Sequence, residues 1–291
     1  MVPATKVPPP LQAYLAMPPE SSLILMTSVL GATSNWLVLR FLHQVLMQEY
    51  GPVESAPAIL LVSFLRDANF WMSGAKRISY LTTCVSFRVI SPRLMAVTPQ
   101  GLDLAKLEEA KRFTFVDGLG GLFLAGNGHS SKVSTLRNPD LHRVTEDLRT
   151  TIQMMKGNGK LILVIDGLDF LLAAGDEITS AALGEKIMGL REEVHAVALT
   201  LSADLPLVAR GESPLECEHA AFLVSIAHQA DILMNLRMLD SGTAKDVSGV
   251  IRITIGDRQE EDKTHELEDS EYLYFIGGDN SVQVFERGQS S

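Results

Sequence analysis

The chain has 291 residues, of which 46% are apolar and 21% charged, a composition typical of a globular protein with a core of its own. The chain has 35 acidic and 25 basic residues, and the resulting formal charge of −10 disfavours nucleic-acid binding by this chain alone. Its two cysteines, Cys84 and Cys217, lie far apart in the sequence, which argues against a disulfide framework or a zinc site.

The apolar stretches of the sequence are short. The longest, such as residues 22–27 and 161–165, fall far short of the roughly 20 residues that a membrane helix needs. The first 20 residues hold six prolines and no continuous apolar segment, so no signal peptide is predicted. We therefore expect no membrane association and a place in the cytoplasm or nucleus.

Two parts of the chain differ in composition. Residues 1–20 contain Pro8, Pro9 and Pro10, which fix φ and remove backbone donors, so we predict a disordered proline-rich leader outside the core. Residues 21–291 are predicted to form a single domain, because short apolar runs alternate with stretches of helical spacing throughout.

That alternation predicts a largely parallel sheet covered by helices. In chain order we predict strands over residues 23–27, 58–64, 113–116, 161–165 and 197–201, and helices over 34–50, 66–80, 141–155, 183–194 and 218–230. The strand 161–165 is apolar without alternation, so both of its faces should be buried. A glycine-rich connection at 118–128 and a loop at 203–218 complete this part.

The C-terminal part favours antiparallel strands. These are predicted over residues 232–239, 249–255, 272–276 and 282–286, the last two joined by Gly277-Gly278-Asp279-Asn280, which suits a hairpin turn. Residues 257–271 carry eight acidic and two basic side chains, so we predict a solvated acidic loop that folding does not need.

The layout of strand, tight turn and helix near the N-terminus is typical of a phosphate-binding loop. Such a loop needs glycines whose amides wrap the phosphates, a lysine that neutralises them and a hydroxyl on magnesium. Aligning Gly31, Ala32 and Thr33 with its last three positions places Ala32 at the lysine and Met26 at the first glycine. Only Gly31 and Thr33 remain, as vestigial positions, and loss of the lysine predicts loss of phosphoryl transfer.

Asp166 ends the strand 161–165 and is a candidate for the second magnesium-binding position. The alternative is a structural role, since an aspartate that ends a buried strand often caps a loop. After the second strand Asp67 is the nearest acid, and it comes too late to orient an attacking water. The start of the first long helix keeps the capacity to hold an anion weakly.

Other features of catalytic sites are weak. Gly126-Asn127-Gly128 and Lys132 have the wrong spacing for a phosphate loop. The seven histidines show no two-histidine metal spacing on a helix face, and neither Ser202 nor Ser225 lies in a Gly-x-Ser-x-Gly turn. We therefore predict no catalytic residues, no metal and no cofactor.

Several segments together resemble the Elongator complex protein 6 family. They are LILMTSVLGATSNWLVLRF (23–41), FTFVDGL (113–119), LILVIDGLDFL (161–171), FLVSIAHQADIL (222–233) and residues 272–285. The resemblance implies a RecA-like P-loop NTPase fold with degenerate nucleotide motifs. It also implies a non-enzymatic place in a hetero-hexameric ring with the fourth and fifth Elongator subunits, two copies of each. That ring joins the catalytic subassembly and binds tRNA, supporting modification of wobble uridines at position 5.

Two alternatives belong to other classes of protein. One is an active RecA-like ATPase with unconventional site residues, which Met26 and Ala32 disfavour. The other is a scaffold or regulator outside tRNA modification.

Arg210 is the candidate tRNA contact in this chain. In RecA-like rings the loop after the strand that follows the magnesium aspartate faces the central channel, and here that loop is residues 203–218, with Arg210 as its only base. One arginine can contact a phosphate, although the neighbouring acids oppose it, so a small share of tRNA affinity is expected. Pairing of Arg210 with Glu212 or Glu216 is the alternative.

Overall fold

The structure is a computed structural model that describes residues 7–47, 56–78, 101–123, 134–136, 138–157, 159–174, 178–209, 211–239, 244, 246–256 and 267–286. Their strands are β1 (Ser22–Ser28), β2 (Ala58–Ser63), β3 (Phe113–Asp117), β4 (Ser134–Thr135), β5 (Leu161–Asp166), β6 (Ala196–Ser202), β7 (Ile232–Arg237), β8 (Gly249–Ile255), β9 (Ser270–Ile276) and β10 (Val282–Phe285). Their helices are α1 (Asn35–Met47), α2 (Ala68–Arg77), α3 (Leu104–Glu109), α4 (Gly120–Phe123), α5 (Leu141–Met155), α6 (Phe170–Ala174), α7 (Ser180–Arg191), α8 (Leu205–Ala209) and α9 (Pro214–Gln229).

All the strands belong to one sheet, in the order β10-β9-β8-β7-β1-β6-β5-β2-β3-β4. From β4 to β7 neighbouring strands are parallel, and from β7 to β10 they are antiparallel. The predicted α/β class is therefore confirmed. None of the described helices is long and apolar enough to cross a membrane.

The direction of β7 corrects one prediction. We expected the C-terminal part to be antiparallel from residue 232 onwards, whereas β7 lies parallel to β1, with Ile24 opposite Ile232. The reason is the long helix α9, which carries the chain back along the sheet before β7 begins, as a parallel crossover requires. Antiparallel pairing starts with β8.

Helices cover both faces of the sheet. Successive residues of a strand point to opposite faces, so Leu23 and Leu25 of β1 pack in one core and Ile24 and Met26 in the other. The first core includes α5, α7 and α9, and the second includes α1, α2 and α3. Both faces of the central strands are thus buried, as the unbroken apolar runs predicted.

The N-terminal segment corrects the prediction of a leader outside the core. Residues 7–20 pack against the second core, where Val7, Leu11 and Leu15 are buried. The prolines open a short 3-10 turn at Pro9–Leu11, and the three buried side chains, spaced four residues apart, form one stripe. Tyr14 Oη donates to the carbonyl oxygen of Glu268 at 2.9 Å, which attaches the segment to the C-terminal strands.

The C-terminal end of the predicted acidic loop belongs to the sheet. Residues 257–266 lie outside the described residues, but β9 already begins at Ser270, and Leu267 packs against the core. Asp269 Oδ1 accepts the backbone N–H of Ile255 at 2.9 Å. The C-terminal third of the predicted loop is therefore anchored to the sheet.

The loop predicted at 203–218 is also partly helical. It contains α8, and α9 begins at Pro214 rather than near residue 218. Ser213 and Glu216 form a reciprocal capping box, and the sequence Ser-Pro-Leu-Glu carries that signal. The sequence therefore held the information that the prediction missed.

Candidate functional site: a degenerate phosphate-loop crevice

The vestigial positions surround a crevice at the carboxyl ends of β1, β2, β5 and β6. It is a cavity of about 150 Å³, lined among others by Thr33, Arg66, Asp166, Asp169 and Asp204. In open α/β sheets ligands bind outside the carboxyl ends of the strands. The fold thus brings Thr33 and Asp166 to one site, although they are 133 positions apart in the sequence.

The turn between β1 and α1 is too tight to wrap a phosphate. Met26, at the first glycine position, lies inside β1, where it pairs with Thr200 on one side and Met234 on the other. The turn that follows is closed by a hydrogen bond from the N–H of Ala32 to the carbonyl of Val29, 2.8 Å long. Those backbone groups are engaged with each other and not directed at a ligand.

Gly31 and Ala32 are both explained by packing. Ala32 is 2% exposed and belongs to the hydrophobic core, so its side chain does not extend into the crevice. A Cβ on Gly31 would lie 2.8 Å from Sδ of Met238, so the glycine leaves room for that methionine. Thr33 is exposed and lines the crevice.

Both carboxylate oxygens of Asp166 are hydrogen bonded within the sheet. Ser63 Oγ, at the end of β2, donates to Oδ2 at 2.8 Å, and Thr200 Oγ1, on β6, donates to Oδ1 at 2.9 Å. Thr200 Oγ1 also accepts the N–H of Gly167 at 2.8 Å. Asp166 therefore joins three neighbouring strands, and its hydrogen bonds go to Ser63 and Thr200 rather than to Thr33.

Burial makes ionisation of the Asp166 side chain less favourable than it is in water. The side chain is 2% exposed, and this burial raises the pKa of Asp166 above its ordinary value, while the hydrogen bonds from Ser63 and Thr200 oppose the shift. A carboxylate serves as a magnesium ligand in its ionised form. The geometry is that of a structural aspartate, which was the alternative interpretation of this residue.

Further acids make the crevice unsuited to phosphate. Asp169 Oδ2 accepts the N–H of Ser202 at 3.1 Å, and Asp204 Oδ1 accepts the N–H of Leu30 at 2.9 Å. Among the described residues of the lining, Arg66 is the single basic one, and its guanidinium lies over the ring of Phe70, 5.4 Å from the ring centroid. Three carboxyl groups against one guanidinium disfavour a polyphosphate.

Asp67 has a local structural role. Its side chain caps α2 by accepting the N–H of Phe70 at 2.8 Å. An aspartate at an N-cap stabilises the first turn of a helix. The sequence prediction that Asp67 lies too late to orient a water is consistent with this position.

Ser202, His219 and Asp169 lie together without forming a hydrolytic triad. His219 Nε2 lies 2.8 Å from the backbone carbonyl oxygen of Ser202, a contact in which the ring N–H donates. Its Nδ1 lies 3.9 Å from Asp169 Oδ2. Because Nε2 bonds the carbonyl and not the hydroxyl, the imidazole is not placed to activate Oγ. Sequence analysis missed this cluster, since no local motif joins its members.

The candidate tRNA contact Arg210 lies outside the described residues, between α8 and α9. Two acids of the same segment are bound to backbone groups. Glu216 Oε2 accepts the N–H groups of Glu212 and Ser213 at 2.7 and 3.0 Å, and Glu218 Oε2 accepts that of Ser180 at 2.6 Å. Among the described residues, no three His, Cys, Asp or Glu side chains are grouped to hold a metal ion.

The parallel strands with crossover helices, the antiparallel C-terminal strands and the crevice at the expected nucleotide position define a RecA-like α/β domain. The sequence model of the family described as Elongation complex protein 6 matches residues 70–276, more than half of the chain, so the chain belongs to that family. No curated protein matches it significantly.

Proposed function

We propose that this chain is a non-catalytic RecA-like subunit of the Elongator accessory ring. In this proposal it assembles with the fourth and fifth Elongator subunits into a hetero-hexamer, two copies of each, which joins the catalytic subassembly and binds tRNA. Its role is to support modification of the wobble uridine at position 5, in the cytoplasm or nucleus. Membership of the Elongation complex protein 6 family supports a place in Elongator and association with its other subunits.

The observation that carries the non-catalytic role is the state of Asp166. Its two oxygens are occupied by Ser63 and Thr200, and the buried Ala32 supplies no cation for a transferred phosphate. Since phosphoryl transfer depends almost wholly on positioning and electrostatics, a crevice of three acids and one engaged arginine lacks the means for it. The fold is retained while the chemistry is absent.

Apolar side chains at the rim of the crevice support a partner there. Leu30 and Leu205 are 89% and 72% exposed, and the hydrogen bond from Leu30 N–H to Asp204 brings their two segments together. Leu65 and Leu215 are exposed nearby, around a small cavity that they share with His219. We call Leu30, Leu65, Leu205 and Leu215 the rim leucines. Clustered exposed apolar residues of this kind mark protein interfaces.

A ring built from different subunits is heterologous, so each chain presents two different surfaces to its neighbours. The rim leucines are proposed as one of them. The formal charge of −10 makes the partners the main source of tRNA affinity, with Arg210 giving a small share.

Two measurements test this proposal. The chain purified with its endogenous partners should appear by native mass spectrometry in a six-membered assembly that contains the fourth and fifth Elongator subunits. Absence of those subunits would favour a scaffold outside tRNA modification. The chain alone should show no ATP turnover, and a steady turnover that is lost in Asp166→Ala would instead favour the active ATPase.

A further inference from the structure

A second, larger cavity lies between α1, α2 and the turn that joins β9 to β10. It measures about 570 Å³ and shares only Thr33 and Asn35 with the lining of the crevice. Its walls combine apolar and polar groups, with Trp36 and Leu39 from α1, Phe70 and Ser73 from α2, and Ile276 from β9. Small-molecule sites have this size and this mixed lining.

A buried arginine faces this cavity with most of its donors unused. Arg40 lines the cavity and is 5% exposed, in the middle of α1. Its Nη2 donates to the carbonyl oxygen of Asn280 at 3.3 Å, a long hydrogen bond. Nε and Nη1, which are both buried, have no hydrogen-bond partner among the residues that the structure describes. A guanidinium has five N–H donors, so this group can donate two parallel hydrogen bonds to an oxyanion.

Burial of an unpaired cation is unfavourable. Desolvation by burial lowers the pKa of Arg40 to about 10. Replacing a buried charge by an apolar residue often leaves a protein equally or more stable. A guanidinium in such a place is therefore better explained by an anion that enters the cavity than by the stability of the empty protein.

The charged side chains among the described lining residues have a single sign. Besides Arg40 there is Arg77, an exposed residue in the last turn of α2. The acids nearest in sequence on these elements are engaged locally, since Asp67 accepts the N–H of Phe70 and Asp279 that of Ser281. Among the described residues of the lining, the second arginine and the absence of a carboxylate favour an anionic guest.

We propose that this cavity binds a small organic anion, whose carboxylate or phosphate pairs with Arg40 while an apolar body lies against Trp36 and Leu39. Arg77 adds attraction at the mouth, and Asn69 and Ser73 supply polar contacts on α2. This inference does not depend on the proposed place in Elongator, and it concerns a site separate from the degenerate phosphate loop.

The test uses the full chain and three probes of similar size, benzoate, phenyl phosphate and neutral benzamide, with binding followed by calorimetry and by tryptophan fluorescence. Benzoate or phenyl phosphate should bind, and benzamide at least ten times more weakly. Preference between the two anions identifies a carboxylate or a phosphate as the natural group. Absence of binding by both anions, or equal binding of benzamide and benzoate, overturns the proposal.

Variants locate the site. Arg40→Met, which keeps length and removes charge, should weaken anion binding at least tenfold without lowering the melting temperature, while Arg77→Met should weaken it a few-fold. Arg149→Met removes a half-exposed arginine of α5, which is paired with Glu146 and Glu193, and serves as the matched control away from the cavity. Because Arg40 is buried, Ser73→Phe at an exposed lining position gives an independent block of the cavity. Anion binding that survives Ser73→Phe unchanged contradicts the assignment.

Discussion

Arg191 and Asp231 form a buried ion pair, with Arg191 Nη2 2.9 Å from Asp231 Oδ2 and side chains that are 10% and 8% exposed. Asp231 Oδ2 also accepts the N–H of Leu23 at 2.7 Å, and Arg191 Nε donates to the carbonyl oxygen of Ser21 at 2.7 Å. The pair thus fixes the end of α7 to the beginnings of β1 and β7. It lies at the amino ends of these strands, opposite the carboxyl ends that form the crevice.

Asp231→Ala should destabilise the protein by about 3–5 kcal/mol, because it removes the carboxylate that pairs with the buried Arg191 guanidinium. Urea unfolding measures the loss. The matched control is Glu193→Ala, which removes the partly exposed partner of Arg149 and should change stability far less. Similar losses in both variants would contradict the importance of burial here.

Asp166→Asn should change how stability depends on pH. Because burial raises the pKa of Asp166, the folded chain holds the proton more tightly than the unfolded chain. The contribution of Asp166 to the free energy of unfolding is therefore fully present below the unfolded pKa of about 3.9, and it is lost as the pH rises through the pKa of the folded chain. Urea unfolding at a series of pH values from about 3.9 upwards should show the wild type losing stability relative to Asp166→Asn as the pH rises. Parallel profiles would show that folding does not raise the pKa of Asp166.

Leu11→Ala should lower the free energy of unfolding by about 2–5 kcal/mol, since Leu11 is completely buried in the core. Gln12→Ala, at the exposed neighbouring position, should have little effect. Chemical denaturation of the two variants compares them directly. If neither variant loses stability, residues 7–20 do not contribute to the core in solution.

Leu205→Asp and Leu30→Asp should weaken assembly with the partner subunits while the melting temperature of the isolated chain stays nearly constant, because both side chains already face solvent. Met154→Asp on α5, where the methionine is 78% exposed, is the control away from the rim. Pull-down of the fourth and fifth Elongator subunits gives the readout. Equal recovery with all three variants would exclude the rim leucines as an interface.

Arg210→Glu in the assembled ring should weaken tRNA binding several-fold and lower its salt dependence slightly, since one phosphate contact is lost. Filter binding at several salt concentrations measures both quantities, and native mass spectrometry checks that the ring stays intact. Unchanged affinity at low salt in an intact ring would show that this segment does not touch RNA.

The strands were the most predictable part of the molecule. β8 spans the predicted residues 249–255, and β2 and β5 differ from their predictions by one residue at one end. Continuous apolar runs that end at polar residues specify such strands locally. Short helices such as α6 and α8 were missed, because five residues are too few to show a helical period.

The N-terminal segment shows the opposite case. Its prolines indicated an extended leader, but the stripe of Val7, Leu11 and Leu15 determines its position, because a surface is available for it to bury. Composition predicts the conformation of a segment that makes no tertiary contacts. Tertiary packing overrides that tendency where apolar side chains meet a complementary surface.

The sequence by itself determined that no lysine stands at position 32, that Asp166 ends a buried strand and that the domain is α/β. Only the tertiary structure decided what Asp166 does. Its hydrogen-bond donors Ser63 and Thr200 lie 103 and 34 positions away in the chain, and they meet it because β2, β5 and β6 are neighbours in the sheet. Residue identity is local, whereas contact depends on strand order, which the crossover connections set over the whole domain.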